Sequence, residues 1–200
     1  MNRGTLIAFE GIDGTGKSMQ VELLGRALRA AECDVVLTRE PTDGPEGQRI
    51  RASARGEAPL SPDEELDCFV ADRERHVTET IEPGLSAGAV VVTDRYFLST
   101  VAYQGARGFD WKVLLDESEA RFPLPDLVLL LELEPAAGLE RVRTRGEPEE
   151  VFEKRDFLER AAAIFGSVER SYVARIDAAV APDRVHGAVV ECLHERLDLL

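Results

Sequence analysis

Two hundred residues and 22.0 kDa are enough chain for one domain with a sizeable core, with room for a small mobile lid. Hydrophobic residues make up 44% and charged residues 31%, which excludes wholesale disorder and collagen-like repeats. Acidic side chains outnumber basic ones 38 to 24, for a net charge of -14, so no nucleic-acid or membrane-surface partner is expected. A small phosphorylated ligand in a local basic pocket stays open.

Taken in chain order, Thr5 to Phe9 reads as a buried strand running into a Gly-rich turn. From Ser18 the pattern becomes helical, with Val21, Leu24 and Leu28 on one face. Val35 to Thr38 is a second strand. Pro41, Gly44, Pro45 and Gly47 mark a loop before a helix over Gln48 to Ala54. Ser61-Pro62-Asp63-Glu64 starts a long helix expected to reach Ile81, with Pro83-Gly84 beyond its end. Ala89 to Thr93 is a third strand, followed by helices over Tyr96 to Gln104 and Asp110 to Arg121. Asp126 to Leu133 is a fourth strand, broken by Glu132 and far short of the roughly 20 apolar residues that span a bilayer.

Pro135 opens a helix to about Arg145. A charged segment from 143 to 155 then reads as a lid within a single 1–200 domain. Helix resumes to about Val168, Tyr172 to Ile176 is a fifth strand, and Pro182 to Leu197 a last helix. Continuous apolar strands alternating with helices imply an α/β fold, a parallel sheet covered on both faces. Met1 to Phe9 is not expected to be a signal peptide. Cys33, Cys68 and Cys192 are scattered without metal-type spacing, which suits reduced thiols in the cytoplasm.

Gly11-Ile12-Asp13-Gly14-Thr15-Gly16-Lys17-Ser18 fits a phosphate-binding loop between a strand and a helix. Its backbone N–H groups would cradle a polyphosphate, Lys17 would pair with the β and γ phosphates, and Ser18 would hold Mg²⁺. No N-K-x-D string points to a GTPase. A small chain with several arginine clusters suits phosphoryl transfer to a small acceptor.

Asp94-Arg95-Tyr96 ends the third strand, at the carboxyl edge where open α/β sheets bind ligands. Asp94 can hold Mg²⁺ there and Arg95 can fork onto a phosphate; the competing reading is a helix-capping Asp beside a surface Arg. Arg95, Ser99 and Tyr103 share one helical row, and Thr100 and Gln104 the next. On the long helix, Leu66, Phe69, Val70, Val77 and Ile81 form an apolar stripe with Arg73 inside it. Arg73 is either an internal salt-bridge partner or, with Phe69, part of a base pocket. Arg39-Glu40-Pro41 ends the second strand, and it and Arg51 are either phosphate ligands or solvated arginines.

Four strings together, Phe9 to Ser18 (FEGIDGTGKS), Thr38 to Thr42 (TREPT), Phe69 to Arg73 (FVADR) and Asp94 to Gly105 (DRYFLSTVAYQG), resemble the thymidylate kinases in order and spacing. The resemblance implies a P-loop kinase with a five-stranded parallel sheet. It implies ATP-dependent phosphorylation of dTMP to dTDP with Mg²⁺, usually by a cytoplasmic homodimer. By position, Asp13 would lie near the acceptor phosphate, with Glu40 and Pro41 beside the substrate. Phe69 would stack on thymine and Arg73 bond its O4. Arg51 and Arg95 would grip the dTMP phosphate, Thr100 and Gln104 read the base, and Tyr103 fill the place of a ribose 2′-hydroxyl.

One branch of that family carries an arginine where this chain has Gly14. The other supplies it from the lid, so the duty is expected of Arg145 or Arg155, or else of Arg143. Two departures stand out: Glu40-Pro41-Thr42-Asp43-Gly44-Pro45 where many members read E-P-G-G-T, and Glu150 at a usual lid arginine. The alternatives are a P-loop kinase for another nucleotide or nucleoside, and a nucleotide-binding regulator without turnover.

Overall fold

The computed structural model describes residues 3–144 and 151–200, and of residues 151–154 the backbone alone. Among the described residues, five strands alternate with nine α-helices: β1 (Thr5–Glu10), α1 (Lys17–Ala30), β2 (Val35–Arg39), α2 (Pro45–Ala54), α3 (Pro62–His76), α4 (Glu82–Ser86), β3 (Val90–Asp94), α5 (Phe97–Ala106), α6 (Trp111–Arg121), β4 (Leu127–Glu132), α7 (Pro135–Arg143), α8 (Val151–Ser167), β5 (Val173–Asp177) and α9 (Pro182–Leu197). The strands form one all-parallel sheet in the order β2-β3-β1-β4-β5. From the central β1 the chain winds first toward β2 and then back toward β4 and β5, so the ends of β1 and β3 sit at the switch point where such sheets bind ligands.

Strand alternation sorts the core into two layers. Leu6, Ala8, Val91, Val128 and Leu130 face one side, with Ile81, Phe97, Val101, Leu115 and Phe165. Ile7, Phe9, Val90, Val92, Leu129 and Leu131 face the other, against Leu24 and Leu28 of α1 and Val189 and Leu193 of α9.

The expected elements are present, with one difference of substance. The helix expected to end at Ile81 passes through a π turn at Val77–Ile81 and continues as α4. Pro83 has no N–H and would crowd the carbonyl four residues back in a regular helix. The wider turn relieves this: Glu82 N–H donates to Val77 O, five residues earlier. Pro45 likewise opens α2 three residues before the expected start, at a position where its missing N–H costs nothing. Ser61 and Glu64 cap α3 reciprocally. Arg145 and Glu150 of the expected lid lie outside the described residues. No helix among the described residues is long and apolar enough to cross a membrane.

Candidate active site

The chain leaves β1 at Glu10 and turns through Gly11–Gly16 into α1. Gly11 has φ 132°, and a Cβ there would lie 2.4 Å from Leu131 O, so glycine lets the loop cross β4. Gly14 has φ 86°, and a Cβ there would lie 2.3 Å from Gly138 O on α7. Lys17 Nζ donates to Gly11 O (3.0 Å) and Ile12 O (2.8 Å). Burial, and then the charge of Arg95, pull its pKa down to about 7 against the opposing pull of Asp13, Asp94 and Glu10.

Ser18 Oγ donates to Asp94 Oδ2 at 2.5 Å, joining the residues expected to share a metal. Asp94 Oδ1 is buried without a hydrogen-bond partner. Asp13, Gly14, Gly16, Lys17, Ser18, Asp94 and Arg95 line a cavity of ≈ 220 Å³. A second, of ≈ 390 Å³, runs from Ser18 and Asp94 past Thr38 to Arg39 and Asp43. A third, of ≈ 410 Å³, lies between Ile12, Leu131, Phe165 and Asp177 and holds none of the expected site residues except Gly11 and Ile12.

Arg95, with φ 72°, is the hub. It donates to Asp13 Oδ1 (2.5 Å), Ser99 Oγ (2.9 Å) and Gly11 O (3.3 Å), with its guanidinium 5.3 Å from the Tyr103 ring centroid. Tyr103 Oη donates to Asp13 Oδ2 (3.1 Å), tying α5 to the loop. Burial opposes ionisation of Asp13, but Arg95 and Lys17 outweigh it and hold its carboxyl below the usual range. Asp94 does not cap α5: the helix begins at Phe97 with Tyr96 at its N-cap, and Glu10 Oε1 accepts from Tyr96 N (2.9 Å) and Ser99 N (3.0 Å) instead.

The expected apolar stripe of α3 is rotated. Cys68, Asp72, Arg73, His76, Val77 and Ile81 are buried, while Leu66, Phe69 and Val70 are half-buried. The buried side meets the polar end of β2 and its loop, so ions pair there instead of alkyl groups. Arg73, 1% exposed, donates to Glu40 Oε2 through Nε (2.9 Å) and Nη2 (2.6 Å), and to Thr100 Oγ1 (2.8 Å). His76 Nδ1 lies 2.9 Å from Glu40 Oε1. Burial would raise the Glu40 carboxyl; Arg73 and His76 bring it below the usual range. The internal salt bridge is therefore present, yet Arg73 Nη1 and both amide atoms of Gln104 remain buried and unpartnered.

Arg51 donates to Pro41 O (3.1 Å) and Asp43 Oδ1 (3.1 Å), and Arg39 donates to both Asp43 oxygens. Asp43, one of the departures in the loop, thus holds two arginines at the open side of the sheet edge. Arg143 pairs with Glu140 and Arg155 with Glu159, each exposed on its own helix.

Four residues escaped the sequence reading of the site. Glu10 lies on the same strand face as Leu6 and Ala8, so period-two alternation aims it at α5, a legible signal. Asp72 anchors Thr42 through N (2.7 Å) and Oγ1 (2.6 Å). His76 completes the Glu40 cluster. Arg141 bridges Gly14 O (3.4 Å) and Ala178 O (3.0 Å), with no motif to announce it.

The thymidylate kinase family model matches residues 9–189. A thymidylate kinase of Desulfotalea psychrophila is 43% identical over 190 residues, 94% of each chain. One from Xanthomonas oryzae pv. oryzae is 45% identical over 198 residues, covering 97% of this chain and 86% of that protein. One from Xanthomonas euvesicatoria pv. vesicatoria is 44% identical, covering 97% and 87%. Matched by that family model over residues 9–189 and by these relatives over nearly its whole length, the chain belongs to the thymidylate kinase family.

Proposed function

We propose a division of labour among the residues of this chain in its reaction. The chain is an enzyme that phosphorylates dTMP to dTDP with ATP as donor. The observation that carries the residue assignment is the convergence of Lys17, Ser18, Asp94, Arg95 and Asp13 on one cavity at the switch point.

Gly11 to Ser18 bind the ATP phosphates, and Lys17 neutralises the β and γ charges. Its pKa near 7 belongs to a buried lysine held by two carbonyls and the Thr15 hydroxyl beside Arg95; an adjacent polyphosphate restores its charge. Arg95 and Arg51 bind the dTMP phosphate, Arg51 exchanging Asp43 for it, and Asp13 orients Arg95. Phosphoryl transfer asks the protein mainly for position and charge.

Ser18 and Asp94 fit Mg²⁺. Oxygen is its preferred donor, Asp94 Oδ1 is unpaired, and one carboxylate with phosphate oxygens is a common arrangement for this ion. Bound there, Mg²⁺ would neutralise phosphate charge.

Arg73 Nη1 and the Gln104 amide offer two kinds of donor and one acceptor to a base edge with a carbonyl beside an N–H, as thymine has at O4 and N3. Each unpaired buried group costs about 1–3 kcal/mol, which the right base relieves. Thr100 holds Arg73 in place, Phe69 lies against the ring, Glu40 and Pro41 shape the wall, and Tyr103 crowds a ribose 2′-hydroxyl. One of Arg143, Arg145 and Arg155 supplies the positive charge on the transferring group.

The homodimer, the cytoplasmic location and the single 1–200 domain belong to this proposal and rest on the family. Sedimentation at working concentration tests the first.

Lys17→Ala tests the donor site. Turnover falls by at least about 10³, while the melting temperature changes little. Wild-type turnover at an unchanged melting temperature would refute the assignment.

A further inference from the structure

Glu10 is fully buried at the end of β1 and takes no part in the roles assigned so far. Its Oε1 accepts the N–H groups of Tyr96 (2.9 Å) and Ser99 (3.0 Å), and its Oε2 accepts the Ser99 hydroxyl at 2.5 Å. Burial raises the Glu10 pKa to about 7, and above that pH its carboxylate is ionised and can only accept. The Ser99 proton is therefore committed to Glu10, and a lone pair of Ser99 Oγ is left for Arg95 Nη1, which donates to it at 2.9 Å. Arg95 in turn holds Asp13.

We infer that Glu10 is a positioning residue for acceptor binding: through the orientation of the Ser99 hydroxyl it holds the Arg95 guanidinium against Asp13, in the setting that receives the acceptor phosphate. Arg95 needs such restraint. Its backbone sits at φ 72°, a conformation that an L side chain seldom adopts, and its side chain leaves the strand edge with only the loop and α5 to hold it. The four groups come from β1, the loop that follows it, the β3–α5 corner and α5, so the relay also fixes how α5 meets the central strand. This inference rests on the reading of Arg95 as a phosphate ligand.

Glu10→Gln keeps the shape but can donate to Ser99, which turns the hydroxyl proton toward Arg95. Ser99→Ala removes the relay and leaves both backbone bonds to Glu10. The experiment is steady-state kinetics of wild type, Glu10→Gln, Ser99→Ala, their double variant and Arg95→Ala, well above pH 7 so that Glu10 is ionised, with melting temperatures alongside. Glu10→Gln and Ser99→Ala should each raise the KM for dTMP about tenfold, the scale of one hydrogen bond to a charged group, and leave the KM for ATP within about twofold. The double variant should be no worse than Ser99→Ala alone, since both substitutions break one chain.

Effects that multiply in the double variant, or that fall equally on both substrates, would overturn the relay and leave Glu10 a structural cap. If Glu10→Gln does not fold, Ser99→Ala decides: an unchanged KM for dTMP overturns the relay. If Arg95→Ala itself leaves dTMP binding unchanged, the phosphate role of Arg95 fails and the relay falls with it. If Arg95→Ala raises that KM and Ser99→Ala does not, the relay alone fails.

Discussion

Arg73 holds a buried ion pair and, in the proposed base pocket, would serve recognition as well. Its Nε and Nη2 neutralise Glu40 inside the protein, and Tyr96 and Phe122 lie 5.4 Å from its guanidinium on ring centroids. Arg73→Met leaves Glu40 buried with His76 as its remaining partner, so it should destabilise the fold by about 3–5 kcal/mol, read as a fall in urea midpoint at constant slope. Restoring midpoint by pairing it with Glu40→Gln, while the KM for dTMP stays raised, would separate the two roles. A normal dTMP KM in that double variant would confine Arg73 to the salt bridge. Sequence spacing placed Arg73 on the buried side of α3 and found the row Arg95, Ser99, Tyr103. It could not choose between ion pair and base pocket, because the partner, Glu40, is 33 residues away and arrives only when β2 meets α3. Asp43 was equally out of reach: a charged loop residue reads as solvated until Arg39 and Arg51 are seen to converge on it.

At the scale of elements, α7 is docked on the loop backbone to backbone. A Cβ on Gly138 would sit 2.6 Å from Asp13 O, and Arg141 binds Gly14 O from the next turn. The start of the expected lid is thereby joined to the phosphate-binding loop, and the same contact leaves no room for a side chain at position 14. Gly138→Ala should cost about 1–3 kcal/mol of stability, the usual penalty of overpacking, and raise the KM for ATP more than that for dTMP, because the loop backbone must yield. Thermal unfolding and two-substrate kinetics check this; wild-type values for both would show that α7 gives way freely. The elements themselves were legible, since apolar runs, Ser61 capping and Pro135 are local signals. The π turn was not, because its cause, Pro83, reads as a stop when the surrounding packing is unseen.

For the whole molecule, a net charge of -14 makes stability a question of which carboxylates are compensated. Asp13 and Glu40 ionise more readily folded than unfolded, so they contribute stability above the ordinary carboxylate pKa that is lost as pH falls. Glu10 runs the other way. Burial raises it to about 7 from 4.5, against the hydrogen bonds of Ser99 and the charge of Arg95, so the folded form holds a proton that the unfolded form has released. Its contribution favours folding below pH 4.5 and fades as pH rises toward 7. The melting temperature of wild type relative to Glu10→Gln should therefore decline across that window, with the Asp13 and Glu40 effects common to both. A constant difference would place the Glu10 pKa near its ordinary value.

In the proposed site, the phosphate-binding loop, the unpaired polar atoms of Arg73 and Gln104, and Arg95 serve one acceptor. The measurement that tests this most directly is ADP production from ATP with Mg²⁺ against a panel of dTMP, dUMP, dCMP, dGMP, dAMP and the ribonucleotide UMP. Arg73 Nη1 and the Gln104 amide predict a higher kcat/KM for dTMP than for dCMP or dAMP. Bases lacking the O4 and N3–H pattern should fall by at least about 10²-fold, the penalty of leaving buried polar groups unpaired. Comparable kcat/KM for dCMP or dAMP, which present an amino group beside an unprotonated ring nitrogen, would contradict it.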